Sequence, residues 1–200
     1  DDADLRSFIF DVLQSECRVM LASDGEEGIE TAFAEVPDLV ISDVMMPRRD
    51  GFQLCTALKG DERTNHIPVI LLTAKTSDES RLAGLKTGAD CYLAKPFEPE
   101  ILLAQVRNLI EQRRLLQARY ARTFLAGESG TEPIDSRDAL FLQNARDIVL
   151  REINDPDFNV ASFSREAGLS RSQLHRKLTA LTGLSGSAFI RSVRLHRAAE

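Results

Sequence analysis

Apolar residues along this chain gather in short runs, separated by longer stretches in which they fall at every third or fourth position. The runs lie near residues 17–22, 38–43, 67–73 and 90–94, and their length and bounding turn residues predict strands. Helical spacing is read near 3–15, 25–35, 51–59 and 77–87, and from residue 99 onward. Helices alternating with strands across short connections imply an α/β fold in which a parallel sheet is covered on both faces.

From Pro99 the helical pattern meets no breaker before Gly127. Leu102, Val106, Leu109, Leu116, Tyr120 and Phe124 keep a three-four spacing, which Arg113 interrupts. Helical as far as Phe124, this segment would be about 39 Å long. Its inner half is expected on the sheet. Two roles stay open for its outer half: a mobile tail, or a lever or coiled-coil seam leading to a following domain.

The stretch Ala126-Gly127-Glu128-Ser129-Gly130-Thr131-Glu132-Pro133 reads as a flexible linker. Beyond it, Ser136 is placed to cap a helix that carries Leu140, Phe141, Ile148, Val149 and Ile153 on one side and ends at Asp155-Pro156-Asp157. A short helix over 160–167, a tight turn at Gly168-Leu169 and a second helix opened by a Ser170/Gln173 capping box then form a helix-turn-helix. Leu174, Leu178 and Leu181 make its inner stripe. That leaves Arg171, Ser172, Gln173, His175, Arg176 and Lys177 to project outward, a set suited to base edges and phosphates.

Charge separates the two parts. Residues 1–118 hold 13 Lys and Arg against 21 Asp and Glu, a net of −8, whereas residues 158–200 hold 7 against 2, a net of +5. An acidic first part and a basic end point to different partners. The apolar fraction of 43% over 200 residues suffices for one or two packed cores. With no apolar run of about 18 residues, this segment is expected to make no direct membrane contact. Cys17, Cys55 and Cys91 are widely spaced, odd in number and without metal spacing, which suits free thiols in the cytoplasm. His175 and His196 lack partners at ligand spacing and read as surface residues.

The candidate chemistry sits where strands end. Asp43 follows Leu39-Val40-Ile41, Thr73 closes Val69-Ile70-Leu71-Leu72, and Lys95 follows Cys91-Tyr92-Leu93. In open α/β sheets, ligands bind outside the carboxyl ends of the strands, so an acid, a hydroxyl and an amine placed there are expected to share one site.

This ordered set resembles the receiver domain of two-component response regulators over residues 1–116. The matching residues are Asp1 through Arg6 as acid-x4-Arg, Asp43-Val44-Met45-Met46-Pro47, Asp50-Gly51, Thr73-Ala74 and Lys95-Pro96-Phe97. The resemblance implies a flavodoxin-like doubly wound sheet and a phosphoryl group accepted on Asp43 from a phosphohistidine donor, a histidine kinase. It implies Mg²⁺ held by Asp1, Asp43 and the Met45 carbonyl, a cis Lys95-Pro96 peptide, and Tyr92 as a switch whose rotamer follows Thr73. Physical chemistry agrees: a carboxylate attacks phosphorus only when charge on the transferring group is neutralised, which Mg²⁺, Lys95 and the Thr73 hydroxyl would share. Phosphorylation is then expected to reshape the surface of the 77–87 helix, the last strand and the long helix, and to drive homodimerisation.

One departure stands out. The family has two adjacent acids after a central first strand; here Asp1 is the second acid, and neither the first acid nor that strand is present. A sheet lacking its central strand exposes unpaired edges. The chain is therefore expected to be a segment of a longer protein, such as a hybrid histidine kinase, or a damaged receiver.

Residues 159–200 resemble the first half of an AraC-type DNA-binding domain. Asn159-Val160, Glu166, Gly168-Leu169-Ser170-Arg171-Ser172-Gln173-Leu174, Arg176-Lys177-Leu178, Leu181-Thr182-Gly183, Phe189-Ile190-Arg191 and Arg194-Leu195 carry the match. It implies promoter DNA as a partner. The family carries two helix-turn-helix units and this chain one, so the segment alone is expected to bind weakly. The domains expected are a receiver over 1–118, a helical extension and linker over 119–137, and a small all-α helix-turn-helix unit over 138–200. Together they make a phosphoacceptor transcription regulator, not an enzyme. Two other readings remain: an aspartyl-phosphate hydrolase, although Met45 stands where such enzymes place a second acid, and a phosphate-independent scaffold.

Overall fold

The computed structural model describes residues 2–74, 87–125 and 137–199. Asp1, the helix expected at 77–87 up to its last residue, the linker and Ser136 lie outside them. Two compact units result, Asp1–Glu111 and Gln112–Glu200.

In the first unit, helices α1 (Ala3–Leu13), α2 (Gly25–Glu35) and α3 (Gly51–Gly60) accompany strands β1 (Val40–Asp43), β2 (Val69–Thr73) and β3 (Cys91–Ala94). Each helix starts on an aspartate whose carboxylate accepts the otherwise unbonded N–H groups of the first turn. Asp2 accepts from Asp4 and Leu5, Asp24 from Glu26 and Glu27, and Asp50 from Gln53 at 2.7 Å in a reciprocal capping box. α4 (Pro99–Leu125) opens instead on proline, which lacks only an N–H that the first turn leaves unbonded anyway.

The sheet is parallel, in the order β1-β2-β3. β2 is buried on both faces, as a central parallel strand requires. Val69 and Leu71 point into a core with Ile29, Ala32, Leu54 and Leu58 from α2 and α3. Ile70 and Leu72 point the other way, into a core with Leu13, Leu102 and Val106 from α1 and α4. This period-two alternation makes the sheet a partition between two helical layers.

The strand expected near 17–22 does not form; those residues are extended or bent without ladder pairing. The observed order corresponds to the last three strands of the flavodoxin-like order 2-1-3-4-5. A ladder needs a partner strand about 4.8 Å away, and none of the three described strands pairs with residues 17–22, where Met20 and Leu21 are exposed.

The second unit is all helical: α5 (Arg137–Arg151), α6 (Val160–Glu166), α7 (Arg171–Thr182) and α8 (Gly186–Ala199). Its core joins Phe141, Leu142, Ile148 and Val149 of α5, Phe163 of α6, Leu174, Leu178 and Leu181 of α7, and Phe189, Ile190 and Val193 of α8. Phe163 stacks on Phe189 with ring centroids 5.9 Å apart. Leu140, expected on the apolar side of α5, is instead exposed, and Leu142 takes the buried position. α5 stops at Arg151, short of Ile153, because the residue before Pro156 disfavours helical backbone and the chain turns ahead of it. Gly168 turns α6 into α7 with φ +69°, a left-handed conformation that costs glycine nothing. α7 begins on the expected Ser170/Gln173 capping box and ends on Gly183 at φ +75°.

Candidate functional site

Asp43 ends β1 and Lys95 follows β3, and the structure brings them together: the Lys95 Nζ donates to the Asp43 Oδ2 at 2.5 Å. The second carboxylate oxygen accepts from the Met45 N–H at 3.2 Å. Backbone bonds extend the sheet beyond its strands to hold this edge. Val44 N–H reaches Leu72 O at 2.9 Å, and Lys95 N–H reaches Thr73 O at 2.8 Å. Thr73 closes β2, half-buried and paired in register with Ala94. The Lys95-Pro96 peptide is cis, as expected.

Three features of this edge lie beyond the sequence reading. Gly51 is pressed so close to Asp43 that a Cβ there would sit 2.2 Å from the Asp43 carbonyl oxygen, while its N–H donates to Val44 O at 3.0 Å. The loop after Asp43 is clamped to the start of α2 by an Arg48–Asp24 ion pair and by Arg49 donating to Glu26 at 2.8 Å. Arg48 adopts φ +63°, uncommon for a residue with a side chain, and pairs with the buried Asp24. Asp2, the cap of α1, is also electrostatically within reach: N–H bonds from Leu5 and Asp4, and then the Lys95 charge, hold its carboxyl below the usual value of 3.8. Adjacent arginines before Asp50-Gly51 were the available signal for the clamp, but their acidic partners lie more than twenty residues away.

Tyr92 is half-buried against the α2–α3 face, and its hydroxyl meets the Thr87 Oγ1 at 3.1 Å. Burial pushes its phenol above the usual range. Cys55, fully buried beneath, donates its thiol to Thr87 O at 3.4 Å.

In the second unit, Arg171, Ser172 and His175 are exposed on α7 and Arg176 is half-buried. Gln173 spends its side-chain oxygen on the Ser170 N–H at 2.9 Å. Lys177 corrects the expectation. It does not project outward but is 1% exposed, with its ammonium 3.7 Å from Asp138 Oδ1 and 4.6 Å from the Phe141 ring centroid. In sequence it stands three residues after Leu174 and four before Leu181, so it belongs to the inward stripe, and the core supplies an acid and an aromatic face for its charge.

The receiver-domain family, described as the response regulator receiver domain, matches residues 1–107. The chain belongs to that family. Over all its 200 residues this receiver-containing chain is 36% identical to histidine kinase P4 of Formosa agariphila, of whose length it spans 14%. It is 45% identical over 94 residues to the DNA-binding dual master transcriptional regulator RpaA of Synechocystis, covering 47% of this chain and 39% of that one. The receiver domain of sensor histidine kinase PA1611 from Pseudomonas aeruginosa, solved with a magnesium ion coordinated in its active-site cleft, matches with a TM-score of 0.53 and 28% identity. The match covers 56% of this chain and 92% of that one.

The receiver residues present suit a hard divalent cation in kind. Asp43 offers a carboxylate at the mouth of the site, and Met45, 74% exposed, carries its carbonyl on the adjoining loop. Carboxylate and carbonyl oxygens with room for retained water are what Mg²⁺ takes. Asp2 is a poorer candidate because its carboxylate is committed to the α1 cap, and Asp1 lies outside the described residues.

Proposed function

We propose that this chain is the phosphoacceptor and DNA-binding output of a two-component signalling protein. Asp43 accepts the phosphoryl group, and its state controls promoter binding by an AraC-type helix-turn-helix unit. The observation that carries the reading is the Lys95 ammonium 2.5 Å from the Asp43 carboxylate at the carboxyl edge of a parallel sheet. An Asp43 oxygen attacks phosphorus as the bond to the donor imidazole nitrogen breaks, giving an acyl phosphate. Lys95 then serves as a point charge for a phosphoryl oxygen and the Thr73 hydroxyl donates to another. Asp1, Asp43 and the Met45 carbonyl would hold Mg²⁺, which when bound neutralises charge on the transferring group. Tyr92, already turned into the α2–α3 face, would report the rearrangement.

The full-length match to a much longer histidine kinase supports a kinase within the same polypeptide, and favours this chain as regulator rather than enzyme. The exposed Arg171, Ser172 and His175 and the half-buried Arg176 of α7 would meet the major groove, with phosphorylation-driven dimerisation pairing two such units. Gln173 supports the start of that helix, and Lys177 is excluded from the contact by burial.

The test is covalent labelling of the full-length protein by acetyl phosphate. Wild type should form an acid-stable, alkali-labile phosphoprotein, and Asp43→Asn should not. Equal labelling of the variant would place the acceptor elsewhere.

A further inference from the structure

The helix that begins just after the last strand meets the carbonyl end of α7 along its second half. α4 runs unbroken over Pro99–Leu125, and its Leu102 and Val106 are core residues beside β2. The part of it in the second unit makes polar contacts with the last turn of α7. Gln117 Nε2 donates to Thr179 O at 2.8 Å and Ala180 O at 3.3 Å, and Arg113 Nη2 donates to Ala180 O at 3.3 Å. Tyr120, one turn further, packs against the helical core. The Gln117 amide also lies 3.8 Å from where a Cβ on Gly183, the C-cap of α7, would be.

The chemistry of these contacts is directional. The final carbonyls of a helix carry partial negative charge and are short of donors; here Thr179 O accepts from the capping Gly183 N–H at 2.9 Å and keeps a second lone pair free for Gln117. Arg113 and Gln117 answer that with a cation and an amide donor, which explains why polar residues break the apolar stripe of α4 there. They grip the end of α7 opposite Arg171 and Ser172, so they set the attitude of the helix without touching what its first turn reads. We infer that Arg113 and Gln117 are positioning residues through which α4 sets the pose of α7 according to the state of Asp43. The inference rests on the DNA-binding reading given above.

The experiment uses full-length protein and a duplex enriched by wild type from a random-sequence pool, with binding measured before and after acetyl phosphate. Gln117→Glu is nearly isosteric but loses the donor and adds charge at a negative helix end. It should lower affinity for the enriched duplex about tenfold and reduce the phosphorylation-induced increase to within about twofold of none, a signature of lost positioning rather than lost contact. Gln117→Lys, which keeps a donor and suits the helix end, should restore the increase. Arg113→Met should reproduce part of the Gln117→Glu defect. Asp43 labelling should be unchanged in all three. A Gln117→Glu protein that responds to acetyl phosphate as wild type does overturns the inference while leaving the DNA-binding reading intact. So does a Gln117→Lys protein as unresponsive as Gln117→Glu. Wild type that enriches no duplex overturns both, and the two failures are thereby told apart.

Discussion

Lys177→Met removes a buried charge while keeping most of the apolar stem, and it leaves Asp138 in a core position opposite a thioether. Deleting one partner of a buried ion pair costs about 3–5 kcal/mol, because the other charge stays desolvated. Asp138 occupies the first turn of α5, where the helix dipole returns roughly 1 kcal/mol of that, while the lost contact with the Phe141 face adds about as much again. The two corrections cancel, so the expected loss stays about 3–5 kcal/mol, or roughly a hundredfold to a few-thousandfold increase in the opening equilibrium of the second unit. Amide hydrogen exchange of α5 and α7 peptides in the full chain reads this without assuming that both units unfold together. Lys177→Met combined with Asp138→Asn should recover most of the protection, since neither partner is then charged. The same double variant separates two roles for the lysine. A phosphate-contacting lysine would take about one unit off the slope of log affinity against log salt, and the buried lysine should take nothing off it. Exchange within threefold of wild type, or a slope reduced by one, would refute the assignment.

Gly51→Ala forces a Cβ against the Asp43 carbonyl with backbone on both sides, so it should destabilise the first unit by about 1–3 kcal/mol in thermal unfolding and impair Asp43 labelling. Gly60→Ala, where a Cβ meets open space, is its control and should be neutral or slightly stabilising. Lys95→Met should slow labelling by acetyl phosphate about a hundredfold through loss of a preorganised counter-charge, and an unaltered rate would remove Lys95 from the site. The Asp2 carboxyl is held below 3.8, so the stability it contributes is complete above that value and fades as pH falls through its lower folded value. Asp2→Asn, which keeps the cap, should flatten acid unfolding in that window, as followed by circular dichroism.

What could be read directly from the sequence was local. The capping box at Ser170/Gln173 is complete within four residues, so its chemistry is visible before folding, whereas the equally local box at Asp50/Gln53 went unread. Asp43 and Lys95 were legible because each closes an apolar run, and a parallel sheet puts such ends on one edge whatever the intervening chain does. What escaped depends on partners distant in sequence. Residues 17–22 have the composition of a strand, but a ladder depends on a partner strand that local composition does not reveal. Lys177 has the stripe position of a core residue, but its charge argued outward until Asp138 and Phe141 were seen beside it. The Arg48 and Arg49 clamps required Asp24 and Glu26 to be brought across from α2.

On the proposed reading, the distance between the phosphoacceptor site and α4 is short along the chain. Lys95 is bonded through its ammonium to Asp43 and through its backbone N–H to Thr73 O, so a phosphoryl group on Asp43 that drew the ammonium would also load the end of β2. Two residues on, Phe97 packs with the Leu102 and Val106 core and meets the Phe8 ring at 6.2 Å, and α4 starts at Pro99. A shift at Lys95 would therefore reach the first turn of α4 through three residues, one of them, Pro96, a proline that removes a backbone donor and stiffens the path. The same helix closes on the α7 carbonyls at Arg113 and Gln117. Loosening the middle of this path should disconnect its ends without harming either: Phe97→Ala should leave Asp43 labelling and unphosphorylated DNA affinity near wild type while cutting the response between them. If the response survives intact, coupling runs by another route, and the surface formed by β3 and the segment before it becomes the place to look.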